Sequence, residues 1–132
     1  MSAALIDSLN PAAELDYNAN VARLFRAPLH AGSLANVVDA KQGSAGSRAQ
    51  GASVRVWLQI ADERVISAKF EAYGCPHFIA AAEKLCEWAE SRKRTELKDW
   101  NWREVAAYLQ LPPSKRARLL VLEAALRRAA GL

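Results

Sequence analysis

The chain has 132 residues, 52% of them hydrophobic and 24% charged, with a formal net charge of +4. That length and apolar content specify one domain, residues 1–132, with a core of its own, and exclude a disordered tail. No apolar run approaches the ~18 residues needed to cross a bilayer, so no membrane is expected as a partner. Residues 1–13 lack a basic stretch leading into an apolar one. No secretory signal is therefore expected, and the two cysteines read as reduced thiols of a cytoplasmic protein.

Residues 1–16 read as a loose N-terminal arm. From Tyr17 to Arg26, Val21, Leu24 and Phe25 recur at helical spacing, and Pro28 stops the pattern. Pro28 to Ser33 is a turn. Lys41 to Ser53 holds Gly43, Gly46 and Gly51 among small polar residues and reads as a flexible loop. Val54, Val56, Leu58 and Ile60 then alternate with polar or outward residues, Trp57 among the latter. Ala61-Asp62-Glu63-Arg64 turns the chain, and Ile66, Ala68, Phe70 and Ala72 alternate in a second strand.

Pro76 opens a helix that runs on Phe78, Ile79, Ala81, Ala82, Leu85, Cys86 and Ala89 to about Glu90. Trp100 and Trp102 fall in a connecting loop, before a shorter helix around Val105, Ala106, Tyr108 and Leu109. Together with Trp57 and Trp88 they read as core or loop anchors, or as an aromatic surface for a partner. Pro112-Pro113 breaks the chain, and Ser114 caps a last helix to Gly131. The sum is an α+β domain, a small antiparallel sheet covered on one face by helices.

The positive excess lies in Arg92-Lys93-Arg94 and in Lys115, Arg116, Arg118, Arg127 and Arg128, a pattern expected of a solvated helix face. Without aromatic interleaving it does not point to nucleic acid.

Chemistry is expected at Tyr73-Gly74-Cys75-Pro76-His77, where a thiol sits between a strand and a helix. A helix N-terminus favours the thiolate, the form that attacks, carries sulfur or binds metal. The other thiol, Cys86, follows eleven residues on, roughly 16 Å along one helix, whereas a disulfide needs Cα atoms within ~7 Å. Cys86 therefore reads as a small core residue. His77 is the nearest second metal donor, and His30 a more distant one.

At four stretches the chain resembles the IscU / NifU N-terminal family of iron–sulfur cluster assembly scaffolds. Tyr17 with Pro28-Leu29-His30-Ala31-Gly32-Ser33 is similar to its first helix and following turn. Val65 to Cys75 is similar to its second strand and central ligand cysteine, and Ile79-Ala80-Ala81 follows in step. Leu111-Pro112-Pro113-Ser114-Lys115 is similar to its Leu-Pro-Pro-Val-Lys segment, which in scaffolds an Hsp70-type chaperone grips; Ser114 stands where that segment has valine. The resemblance implies the same fold, related to that of the SufE-type sulfur acceptors.

The departures concern the ligands. The family's Cys-Gly-Asp aligns with Gln50-Gly51-Ala52, and its His-Cys with Ala117-Arg118. Of three ligand cysteines only Cys75 remains. An iron–sulfur cluster or a zinc ion needs about four donors, and an arginine instead brings a fixed positive charge. The resemblance thus implies an accessory of cluster assembly, a carrier more than an enzyme, in which Cys75 accepts sulfane sulfur from a cysteine desulfurase and Arg118 stabilises its thiolate. Two other readings stay open: a non-catalytic binding or regulatory module of the same shape, and a true scaffold whose cluster is shared across a dimer.

Overall fold

In the computed structural model, which describes residues 17–132, the first helix is α1 (Ala19–Arg26). Asn18 caps it, its side chain accepting from the Val21 N–H at 2.8 Å. Val21 and Leu24 are buried as expected, but Phe25 is 44% exposed, because eight residues present only two positions to the helix Pro76–Ala89 behind them. The expected arm, residues 1–16, lies outside the described residues.

The sheet is antiparallel in the order β1 (Lys41–Ser47), β2 (Ala52–Ala61), β3 (Arg64–Tyr73). β1 overturns the expectation of a flexible loop over 41–53. Its glycines serve packing: a Cβ on Gly43 would lie 2.3 Å from the Ala125 carbonyl oxygen and 2.4 Å from the Ala129 nitrogen. The missing side chain lets helix α5 (Leu119–Ala130) lie directly on the strand.

β2 and β3 form the expected hairpin, closed by Asp62 and Glu63, both at positive φ as a two-residue turn of this kind requires. One detail differs. Gln59 pairs with Ser67 and Ile60 with Val65, which leaves Ile66 as the extra residue of a bulge. The bulge reverses the phase of the strand: Val65 is buried and Ile66 is 55% exposed. Trp57 also departs from its expected exposure, at 6%; the Arg55 guanidinium lies 5.8 Å from its ring centroid, one of the long side chains that cover a strand's outer face.

The outer edge of β3 is occupied at both ends. Phe70 N–H donates to the His30 carbonyl, Gly32 N–H to the Phe70 carbonyl, and Val65 N–H to the Arg92 carbonyl. Such cover blocks unwanted strand addition.

Helix α2 (Pro76–Ala89) packs against β3 and α1, with Cys75 as its N-cap residue and Pro76 at its first position. A 3-10 turn (Arg94–Asp99) leads to α3 (Trp102–Leu109), which Gln110 ends in the left-handed conformation. The last expected helix is two. α4 is one turn, Pro113–Arg116, capped by Pro112, so Ser114 lies inside it and is not the cap; α5 follows after Ala117 and Arg118. Val54, Val56, Leu58, Phe70, Phe78, Leu85, Leu122 and Leu126 lie in the one core between sheet and helices. Cys86 and Trp100 are buried in it, as expected of a core thiol and a loop anchor.

Candidate functional site

The Cys75 sulfur stands where three elements end. β3 delivers it after Gly74, where a Cβ would lie 2.8 Å from the Phe78 ring, so glycine there lets the first turn of α2 close on the strand. Phe78, Leu111 and Leu119 form an apolar floor, packed with no room for a water molecule, and His77, Lys115 and Arg118 complete the wall. Cys75 itself is half-buried.

Arg118 Nη1 donates to Cys75 Sγ at 3.8 Å. The other terminal nitrogen of the same guanidinium lies 3.5 Å from where a Gly51 Cβ would be. The segments expected to converge, 50–52, 75 and 118, therefore do so around this side chain.

Burial is the largest influence on the Cys75 thiol and pushes its pKa up. The Phe78 N–H, the Lys115 ammonium, the His77 N–H and the Arg118 guanidinium oppose burial and outweigh it, so the pKa lies below the ordinary value. Cys86 is the contrast: full burial and the nearby Glu83 and Glu90 carboxylates push its pKa far up, and it stays an inert thiol.

Lys115 has a role here that sequence reasoning missed, having given it to a solvated basic face and to a partner-binding segment. The available signal is its spacing to Arg118, three residues, which puts both cations on one side of a helical turn. His77 is neither a surface residue nor a satisfied one. It is 7% exposed, its ring packs on Tyr17 with centroids 4.6 Å apart, and its Nδ1 has no partner. Burial and Lys115 lower its pKa, keeping the ring neutral.

His30 is not near the thiol. Its Nδ1 meets Glu83 at 2.5 Å and its Nε2 meets Glu90 at 2.9 Å, while its N–H donates to Glu83 at 2.8 Å. Glu90 also accepts from the Ala68 N–H. This network ties the 28–32 turn to α2 and β3.

A zinc ion or an iron site finds no fitting donor set beside Cys75. Gln50 is exposed, and Ala52 and Ala117 bring no ligating atom to their positions. Among the described residues no group of three His, Cys, Asp or Glu side chains is placed to hold a metal ion. The fixed charge of Arg118 stands at the sulfur, and a dication would have to displace it.

No helix among the described residues is long and apolar enough to cross a membrane. The family model described as "NifU-like N terminal domain" matches residues 16–131. The iron–sulfur cluster assembly scaffold protein IscU of Rickettsia prowazekii is 31% identical over 88 residues, 66% of this chain and 67% of its own. IscU of Escherichia coli K12 is 29% identical over 101 residues, covering 75% and 79%. Among solved structures, a scaffold protein for the SUF system from Fervidobacterium islandicum superposes with a TM-score of 0.70 at 14% identity, over 86% of this chain and 96% of that one. The N-terminal NifU-like protein of Brucella abortus gives 0.53 at 19% identity, covering 86% and 82%. These last two likenesses are of fold, an α+β sheet with helices packed on it. By the match over nearly all of its length, the chain belongs to the NifU-like N-terminal domain family, that of the IscU iron–sulfur cluster assembly scaffolds.

Proposed function

We propose that this member of the scaffold family accepts sulfane sulfur on Cys75 from a cysteine desulfurase and hands it on within iron–sulfur cluster assembly. The observation that carries the reading is the Arg118 guanidinium at 3.8 Å from a sulfur on the N-cap residue of α2, with Lys115 adding positive charge. A lowered pKa raises the share of thiolate, the nucleophile in sulfur exchange.

The step needs no added oxidant. The Cys75 thiolate attacks the outer sulfur of the desulfurase's cysteine persulfide. The bond between the outer sulfur and that cysteine breaks as the new one to Cys75 forms. The donor cysteine leaves as a thiolate with the electron pair, and the proton stays on the transferred sulfur. Lys115 and Arg118 present positive charge where both sulfur anions lie during exchange.

An Hsp70-type chaperone is a second partner in this reading, through Leu111 to Lys115. Pro112, Pro113 and Ser114 are exposed, while Leu111 is buried.

The test is intact-protein mass after incubation with a cysteine desulfurase and cysteine, without reductant. One sulfur atom is expected to add, and Cys75→Ser to abolish the addition. Tight desulfurase binding with no added sulfur would instead leave a non-catalytic binding module.

A further inference from the structure

We infer that Arg118 does for this site what a bound metal ion does in a metal-holding site: it ties the converging segments together, so that the site is assembled without a metal. The inference takes Cys75 to be the working thiol of the preceding section.

Three separate segments meet at the guanidinium. Arg118 sits between α4 and α5, its Nη1 reaches Cys75 at the start of α2, and its Nη2 lies 3.5 Å from where a Cβ would be on Gly51, in the turn between β1 and β2. That turn is closed by the Ser47–Ala52 pair of the β1–β2 ladder, and the Arg48 guanidinium lies 4.7 Å from the Tyr73 ring centroid. Its internal bonds are Gln50 N–H to the Ser47 carbonyl and hydroxyl, and Gly51 N–H to the Arg48 carbonyl, all within the turn itself. Gly51 is at φ +80, a backbone shape that most side chains resist, and a Cβ there would stand 3.5 Å from Nη2 and 3.9 Å from Cζ of the guanidinium.

A metal cross-links such segments by taking one donor from each. Here the first segment offers an exposed amide at Gln50 and none at Ala52, and the last offers Ala117 and a permanent cation. The planar guanidinium has five N–H donors in a fixed fork, so it can face two segments at once. It brings its charge covalently and needs no loading step.

The chain itself, reduced and stripped of metal, supplies the test. It is titrated with Zn²⁺ against a chromophoric chelator, and its thermal unfolding is followed with Zn²⁺ and with EDTA. No stoichiometric zinc uptake and coincident unfolding curves are expected; one zinc per chain, or a curve that EDTA lowers, overturns the inference. Amide hydrogen exchange reads the cross-link directly. In Arg118→Ala, amides 48–51 should exchange about tenfold faster or more, while those of the β2–β3 hairpin keep their protection. Unchanged exchange at 48–51 overturns it, and so does equal acceleration in the hairpin. Arg118→Lys, which keeps the charge but loses the fork, should resemble Arg118→Ala in the turn. None of these measurements reads sulfur transfer. A chain that takes no sulfur but behaves this way keeps the cross-link and loses the carrier role, and zinc uptake with sulfur loading intact does the reverse.

Discussion

Two cations flank the Cys75 sulfur, and they act against burial, which alone would leave it a neutral thiol. Removing either should raise the midpoint of the pH profile for alkylation. Arg118→Ala and Lys115→Ala are each expected to slow alkylation near neutral pH by about 3- to 10-fold, with Cys86 unreactive in both. A profile that does not move in either variant would show that the α2 N–H groups suffice. His30 makes a second pH prediction of opposite kind. Burial lowers its pKa, but hydrogen bonds and charge from Glu83 and Glu90 outweigh this, and the net shift is upward. A raised pKa in the folded state means that stability is fully present below the unfolded histidine value of about 6.5 and is lost as pH rises through the folded value. Thermal midpoints should therefore fall as pH rises above that unfolded value, and His30→Asn should flatten that dependence while lowering stability at pH 6. The thiol and Arg118 were legible because each stands at an aligned ligand position. Glu83 and Glu90 were not: in sequence they are helix carboxylates like any others, and only the 28–32 turn brings a histidine between them.

Among the elements, β1 was hidden by the residues that make it work. Lys-Gln-Gly-Ser-Ala-Gly-Ser carries almost no apolar side chain to alternate, so periodicity has nothing to report. What places it is a helix 80 residues later that needs a strand without a Cβ at position 43. Gly43→Val should cost about 3 kcal/mol, because the atoms it meets are α5 backbone and cannot swing aside. Denaturant unfolding measures this, and a loss below about 0.5 kcal/mol would mean that α5 does not sit on the strand. Likewise the β2–β3 hairpin was legible down to its two turn residues, but its bulge was not: Val65 and Ile66 are both β-branched and apolar, and either could face inward on composition alone.

For the whole molecule, element order and turn chemistry were enough to read an α+β domain, and the matched family and superposed structures agree. What order does not reveal is that the Pro-Pro segment and the thiol share one wall. Leu111 is 3% exposed and packs beside Cys75, with Phe78 and Leu119 behind it. Leu111→Ala should therefore destabilise the fold by about 2–4 kcal/mol and also quicken alkylation of Cys75; unchanged alkylation would mean that the side chain does not shield the sulfur. A partner that gripped residues 111–115, as proposed, would be gripping the same piece of chain that shields the sulfur. A partner that drew residues 111–115 into an extended strand would unwind α4, carry Lys115 away from the thiolate and pull Leu111 off the sulfur, all in one motion. Grip and release of whatever Cys75 carries would then be the same mechanical event, with no separate signal between them.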